Sequence, residues 1–250
     1  MFGNAIQGHP GMEKVVDTTR NGLRPGTPMV FEDGRVYRWT RNGATALLTG
    51  RLCQQSVVTS GHGSDLAIQA ARAVGDSTIA LTNATTAIVA NDYQFGYVNI
   101  HDGAGEGLKY AVKSHPAEST GTGTVIMTLE DDDTIRVALT TATSLAGLRR
   151  HPYDEVIVHP TTPTGIPVGV TPVAVAVDEY FWLQTHGSCS VLINGTVIVG
   201  YLVTAGATTA GSVDVHPLNS VDGSGQQAVI GYVERVQATT QHGDIFLTLD

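Results

Sequence analysis

Charged residues are scarce in this chain. Asp, Glu, Lys and Arg together make up 15% of its 250 residues, against roughly a quarter in an average globular protein. Only three lysines occur, Lys14, Lys109 and Lys113. Thr, Gly, Ala and Val take the place of the missing charges, a composition typical of strands joined by tight turns. A surface so poor in charge indicates that partner molecules cover much of it.

Cysteines and long apolar runs are almost absent as well. Cys53 and Cys189 are far apart and match no metal-binding or redox spacing, so we expect two buried thiols. No apolar run approaches the length of a membrane span, and the N-terminus has no apolar signal-peptide core. We therefore expect a soluble protein that is made in a cytosol and has no membrane partner.

The formal net charge of −9 is unevenly distributed. Residues 1–51 carry seven basic and four acidic residues, a net of +3, whereas residues 52–250 carry seven basic and nineteen acidic residues, a net of −12. A basic leading segment on an acidic body predicts attachment of that segment to an acidic surface. The body would repel phosphates, so no nucleic-acid partner is expected.

The stretch from Glu179 to Val203 indicates the centre of the largest core. Aromatic and β-branched runs flank Asn194-Gly195, a dipeptide that accepts the positive φ values of a tight hairpin turn. We therefore predict a three-stranded meander here. The alternating segment with Tyr37 and Trp39 is a second half-buried strand. Because arginines are interleaved with its aromatic residues, this strand could instead form a nucleic-acid stacking patch. Packing of the aromatic side chains in the core is favoured, since they bury a large apolar area.

Short alternating segments recur from residue 78 onward at intervals of about 8–12 residues, which is typical of a sandwich or barrel. The one plausible helix covers Ser64–Val74, with Ser64 as N-cap, and a strand or a loop is the alternative for this short segment. The strands predicted before residue 150 are Thr78–Leu81, Thr86–Ala90, Tyr97–His101, Leu108–Ser114, Thr124–Glu130 and Thr134–Leu139. Those predicted outside the meander after residue 172 are Val173–Val177, Ser212–Val215, Ala228–Val236 and Gly243–Leu249. The fold class is thus all-β, with two small sandwich-like or barrel-like modules.

Proline and glycine divide the chain. Residues 151–172 are proline-rich, which suits an extended connector between a β domain over 29–150 and another over 173–250. Residues 1–28 are too rich in glycine and proline for a helix. They form either a disordered tail or an extended N-terminal arm that orders on a neighbouring subunit. The arm is favoured because it carries the apolar anchors Phe2, Ile6, Met12 and Val15.

No catalytic or metal-binding constellation emerges. Five of the nine histidines directly precede proline, which favours turn or edge positions, and no histidine pair has a metal-ligand spacing. Gly75-Asp76-Ser77, with His62 upstream, lacks the glycine that follows the nucleophile in chymotrypsin-like proteases. We expect no enzyme activity, no metal and no cofactor.

The C-terminal segments resemble a family of phage proteins. Gly200–Gly206, Gly211–Val215, Ala228–Val236 and Gly243–Leu249 are similar to the ending of tailed-bacteriophage capsid decoration (cement) proteins. Gly96–Pro116 is similar to segments of phage head proteins. The likeness covers most of residues 30–250 and is one of pattern.

The resemblance implies an all-β homotrimer on the outer surface of the capsid head, made in the host cytoplasm. It would bind the major capsid protein at local three-fold positions and brace neighbouring capsomers. The family has no catalytic residues to transfer. The expected capsid contacts lie in the arm: Phe2, Ile6, Met12, Lys14, Val15, Arg20 and Arg24.

An alternative from another class is a carbohydrate- or receptor-binding module of a head fibre or spike. Tyr180, Trp182, Tyr201 and Tyr232 would then present exposed rings for sugar stacking.

Overall fold

The computed structural model describes residues 5–83, 86–217 and 227–250. The described residues form strands, turns and one 3-10 turn at Met12–Lys14, with no α-helix among them. The predicted all-β class is confirmed.

Eighteen strands make up the described part of the chain. The first five are β1 (Ile6–Gln7), β2 (Val16–Asp17), β3 (Pro28–Val30), β4 (Val36–Arg41) and β5 (Leu52–Gln54). The next six are β6 (Leu66–Ala67), β7 (Thr78–Thr82), β8 (Tyr97–Asp102), β9 (Lys109–Ser114), β10 (Thr124–Leu129) and β11 (Leu145–Arg149). The last seven are β12 (Ile157–Val158), β13 (Pro167–Val170), β14 (Tyr180–Leu192), β15 (Leu202–Ala205), β16 (Val213–Val215), β17 (Gly231–Arg235) and β18 (His242–Thr248).

The chain forms two compact units. Val57–His151 makes one of them, and Met1–Ser56 together with Pro152–Asp250 makes the other. This division differs from the one predicted, which joined residues 29–56 to the residues that follow them. The reason is strand pairing, because β4 lies along β14, about 140 residues later, from Tyr180 opposite Arg41 to His186 opposite Val36.

The unit over Val57–His151 is a six-stranded, nearly closed barrel in the order β6-β11-β8-β9-β10-β7. An antiparallel bridge between Ile68 and Leu81 joins the two ends of this order. Successive side chains of a strand point to opposite faces of the sheet. Val125 and Met127 of β10 therefore point into the core, and Ile126 between them points out. This module confirms the barrel-like architecture predicted from the short alternating segments.

The second unit is built around β14, a 13-residue strand in a sheet of order β1-β3-β4-β14-β18-β17-β15-β16. The first half of β14 pairs with β4 and the second half with β18. A parallel bridge between Ile193 and Val213 brings β16 back to the end of β14, so the last strands curl around an apolar core. Residues of β14 belong to three hydrophobic clusters of this unit, but the cluster with the most buried residues lies in the Val57–His151 unit. The prediction that this stretch is the centre of the largest core is therefore wrong.

The change of partner along β14 occurs at a bulge. The register with β4 shifts between Gln184 and His186, and Gly187 has a φ of 84°. A bulge bends the strand that carries it, and the positive φ explains the glycine. The Gln184 amide stabilises the bulge by donating to the carbonyl oxygens of His186 (3.1 Å) and Ser188 (2.8 Å).

Several local predictions are wrong. The predicted strands Thr86–Ala90, Thr134–Leu139 and Val173–Val177 each contain one isolated bridge and no strand. A hairpin and a helix were also predicted wrongly. Asn194-Gly195 does not join two paired strands: β14 ends at Leu192, and the next strand, β15, pairs with β16 and β17. Residues 64–74 are not helical, and β6 lies among them, because Leu66 and Ile68 are both buried on one face of the barrel. The spacing of these two apolar residues is that of a strand.

The proline-rich residues 151–172 are not only a connector. They contain β12 and β13, which pair with β5 in antiparallel fashion. Pro167 is the first residue of β13, a position where the missing N–H is tolerated.

The described residues of the N-terminal segment, 5–28, contain β1, the 3-10 turn, β2 and two further turns, at 21–22 and 25–26. They lie on their own chain: β1 pairs with β3 and β2 with β14. Ile6, Met12 and Leu23 pack against an aromatic cluster. The members of this cluster are Met29, Phe31, Tyr37, Trp39 and Trp182. Of the predicted anchors, Ile6 and Met12 therefore contact their own chain, whereas the sequence-based hypothesis placed them on a neighbouring subunit. Val15 is exposed, and Phe2 lies outside the described residues.

Candidate functional site

A cleft of about 360 Å³ lies at the bulge of β14. Three parts of the unit meet there: the 3-10 turn, the start of β4 and the loops that precede β5 and follow β13. The side chains and backbone that line it are those of Glu13, Lys14, Arg35, Tyr37, Thr49, Gly50, Val170, Thr171, Pro172, Gln184, Ser188, Cys189, Ser190 and His242. The volume falls in the range of small-ligand sites.

One wall of the cleft is cationic. Lys14 is exposed at its rim, and the Arg35 guanidinium is held by Asp33 (2.7 Å) and the Tyr37 hydroxyl (2.9 Å). Burial raises the pKa of Tyr37 to about 12, so this hydroxyl is neutral. Arg35 therefore has a fixed position beside the cleft, which favours recognition of a carboxylate or a hydroxyl group.

The floor of the cleft carries hydroxyl groups. Ser188 and Ser190 are exposed, while Cys189 between them is buried in the core. This alternation places both serine hydroxyls on the outer face of β14. Each hydroxyl can donate and accept a hydrogen bond, a pattern that suits a polyol or a carboxylate.

His242 forms another side of the cleft. Its Nε2 lies 3.3 Å from the Thr49 carbonyl oxygen, and its ring packs on the backbone of Gly50. A Cβ at Gly50 would be 2.4 Å from the ring, and its φ is 66°. Glycine at this position therefore lets the imidazole lie flat across the end of β14.

A row of apolar side chains leaves the cleft across the outer face of the sheet. Ser188 on β14 lies opposite Phe246 on β18, which lies opposite Tyr232 on β17, which lies opposite Leu202 on β15. Directly opposite residues have Cβ atoms about 4.5–5.5 Å apart. Phe246 is 37% exposed and Tyr232 is 46% exposed. We call Leu202, Tyr232 and Phe246 the aromatic row.

The aromatic row has polar neighbours on both sides. The His186 ring contacts Phe246 edge-on, with centroids 5.2 Å apart. On the other side, Arg235 and Asp244 form an ion pair of 2.7 Å. The His186 contact restricts the Phe246 ring, and the polar groups on both sides limit the width of the exposed apolar strip.

The predicted arm residues do not form one site. Phe2 lies outside the described residues, and Ile6 and Met12 pack on the aromatic cluster. Lys14 lines the cleft and Val15 is exposed. Arg20 is half-buried and Arg24 is exposed. Their role as capsid contacts stays a prediction.

The basic charges of residues 1–51 are partly neutralised within the unit. Arg38 forms two hydrogen bonds to the Asp250 carboxylate, of 2.7 and 2.9 Å, and Arg41 is 2.9 Å from Asp178. Acidic residues of the C-terminal part thus form ion pairs with the basic segment. The charge pattern of the sequence had predicted that this segment binds an acidic partner. The unit as a whole has eight basic and thirteen acidic residues.

The aromatic residues singled out in the sequence are divided between core and surface. Trp39 and Tyr37 are buried, which confirms their predicted role in core packing. Trp182 is 4% exposed and lies 4.8 Å from Trp39 between ring centroids. Of the rings named for sugar stacking, Tyr201 and Tyr232 are exposed. Phe246 is a ring that sequence reasoning missed, because its exposure depends on a strand register that cannot be read locally.

Histidines before proline are more buried than turn positions usually are. His115 and His159 are buried, and the Nδ1 of each lies within 2.9 Å of the carbonyl oxygen of the next proline. Burial lowers the pKa of both rings. Within the described ranges, no three His, Cys, Asp or Glu side chains are grouped as metal ligands.

Comparison with models of known protein families, with curated proteins and with solved structures found no match. No helix in the described parts of the chain is long and apolar enough to span a membrane.

Proposed function

We propose that this chain is a structural virion protein that binds the outside of a phage capsid and stabilises it by bridging neighbouring capsomers. Its partners are the major capsid protein and further copies of itself in a homotrimer. The observation that carries the proposal is the exposure of large apolar side chains on both β units. A brace needs two contact surfaces on stiff supports, and each unit offers one.

On the Val57–His151 unit, Val74 is 66% exposed and Val89 is 71% exposed. Val74 and the exposed Val137 lie between two backbone pairings, one joining Arg72 to Leu139 and one joining Ile135 to Asp76. They are therefore neighbours on two chain segments joined by backbone hydrogen bonds. Water-exposed valines on a hydrogen-bonded segment favour a protein contact.

On the other unit, Leu48 and Val199 are exposed in loops. Leu48 precedes β5, and Val199 precedes β15. Both are held by backbone hydrogen bonds of their neighbours, such as Gly200 N–H to the Val233 carbonyl oxygen at 2.8 Å. A loop fixed in this way can contact a partner at a low cost in conformational entropy.

The test is co-sedimentation of the full chain with empty shells assembled from the major capsid protein of the same genome. We expect saturable binding and a higher melting temperature of the shells. The double variant Val74→Asp/Val137→Asp should lower occupancy at least tenfold, because it buries two carboxylates in the contact. Thr134→Asp, an exposed position in the same unit, is the matched control for added charge.

The second surface needs its own variant. Leu48→Asp/Val199→Asp should likewise reduce the rise in shell melting temperature, since a bridge loses its effect when either end is released. Unchanged occupancy and unchanged shell stability with both double variants would contradict the proposal. The mass of the free protein tests the homotrimer, which should be three times the 26.2 kDa of the chain.

A further inference from the structure

We propose that the cleft and the aromatic row together bind an oligosaccharide that carries one carboxylate. The proposal assigns the carboxylate to Lys14 and Arg35, sugar hydroxyls to Ser188 and Ser190, and an adjoining sugar ring to Phe246 and Tyr232. It does not depend on the capsid proposal, since it concerns a small ligand on the outer face of one unit.

The aromatic row supplies the stacking surface. A pyranose ring has an apolar face of C–H groups, which gains dispersion energy and buries apolar area on an aromatic side chain. Phe246 and Tyr232 are adjacent across β18 and β17, and both are partly exposed. Two neighbouring rings offer a platform as long as one or two sugar units.

The serine hydroxyls stand next to this platform. Ser188 is the cross-strand partner of Phe246, and Ser190 is the partner of Asp244. A sugar that stacks on Phe246 therefore has its edge above the floor of the cleft. Vicinal hydroxyls need partners that both donate and accept, which serine side chains provide.

The cationic wall of the cleft favours a saccharide in which one sugar carries a carboxylate. Arg35 is positioned by Asp33 and Tyr37, and Lys14 lies at the same rim. Glu13, the acid that lines the cleft, accepts a hydrogen bond from the Gly11 N–H at 2.7 Å. A single carboxylate fits between two cations, whereas a polyanion would be repelled by the net charge of −9.

The size of the surface favours a saccharide over a protein. A stable protein interface covers about 800 Å² on each partner. The aromatic row is one side chain wide, and an ion pair (Arg235–Asp244) and the His186 ring border it. The cleft of about 360 Å³ is of the size that holds a small ligand.

The test is isothermal titration of the full chain with two pairs of probes. Sialyllactose is compared with lactose, and cellobiouronic acid with cellobiose. We expect at least one acidic probe to bind about tenfold more tightly than its neutral counterpart, a difference of about 1.4 kcal/mol. Tyr232→Ala and Phe246→Ala should each weaken that binding about tenfold. Lys14→Met should weaken binding of the acidic probe more than that of its neutral counterpart and so remove most of the preference for the acid.

Ile126→Ala, an exposed apolar position on the other unit, is the control and should leave all titrations unchanged. Melting temperatures establish that each variant is folded. Absence of binding by both acidic probes at 10 mM, equal binding of acidic and neutral probes, or binding unaffected by Tyr232→Ala and Phe246→Ala would overturn the proposal. Loss of shell binding, instead of saccharide binding, in the Phe246 and Tyr232 variants would show a protein-docking face and overturn it as well.

Discussion

The side-chain amide of Gln184 donates a 2.8 Å hydrogen bond to the carbonyl oxygen of Ser188, four residues further along the same strand. This contact spans the bulge between Gln184 and His186 and the positive-φ residue Gly187 that follows it, where β14 leaves β4 and continues with β18. The aromatic cluster therefore lies on the half of β14 before the bulge, and the serine hydroxyls lie on the half after it. The candidate site forms because β14 pairs with β4 along its first half and with β18 along its second half.

Substitution at the bulge tests this role. Gly187→Ala should destabilise the protein by about 2 kcal/mol, because the φ of 84° is unfavourable for alanine and the new Cβ would lie 3.0–3.4 Å from Arg35. Gly200→Ala is the matched control, with a φ of 81° and no atom within 4 Å of the new Cβ. It should cost about 1 kcal/mol for the backbone alone. Urea unfolding measures both, and equal losses would contradict the account of the bulge.

The Glu118 carboxylate predicts an acid-sensitive barrel. It accepts hydrogen bonds from the Thr120 hydroxyl, Asn83 Nδ2 (2.6 Å) and the backbone N–H groups of Thr120 (2.8 Å) and Gly121 (2.9 Å). These bonds, those of the Thr120 hydroxyl and Asn83 above all, lower the pKa of Glu118 to about 2. A lowered pKa stabilises the folded state above the unfolded pKa of 4.5, and this contribution is lost as the pH falls from 4.5 to about 2.

Glu118→Gln should therefore lower the melting temperature at pH 7 and flatten its dependence on pH between 4.5 and 2. The amide replaces one acceptor oxygen by a donor that faces other donors. Glu106→Gln, at an exposed position of the same unit, is the control and should change neither quantity. An unaltered acid limb of the pH–stability curve in Glu118→Gln would disprove the assignment.

Burial predicts unreactive thiols. Cys53 and Cys189 are free and buried, and burial raises the pKa of both. Since the thiolate is the reactive form, neither should react with Ellman's reagent within minutes at pH 8. Both should react after unfolding in guanidinium chloride. Rapid reaction of a thiol in the folded protein would show that the core around it is open.

Strict alternation located several strands correctly. Tyr97–Asp102, Thr124–Leu129 and His242–Thr248 lie within a residue of their predicted bounds, because one face of each is buried and the pattern records it. Thr134–Leu139 was predicted as a strand, yet only Leu139 forms a bridge there. Its apolar side chains are spaced along an irregular segment.

The partners of the strands could not be predicted in the same way. The Asn194-Gly195 signal was strong locally, but Ile193 and Asn194 bond to Gln241 and Val213 instead of closing a hairpin. Non-local pairing overrode the turn preference. The candidate site has the same origin, because Lys14, Ser188 and Phe246 meet only through pairings that join the two ends of the chain.

The N-terminal segment predicts a fluorescence change. Leu23 packs on the cluster that contains Trp39 and Trp182. Leu23→Asp should expose this cluster, shift the tryptophan emission to longer wavelength and increase quenching by acrylamide. Val15→Asp, at an exposed position of the same segment, is the control and should leave the emission unchanged. A native-like spectrum for Leu23→Asp would show that the segment does not cover the tryptophans.

The role as a capsid brace is tested most directly by electron cryomicroscopy of shells reconstituted with and without the chain. We predict additional density on the outer surface, with each copy touching two neighbouring capsomers and the copies grouped in threes. Density that contacts a single capsomer, density confined to the inner surface or the tail vertex, or shells without additional density would contradict the account.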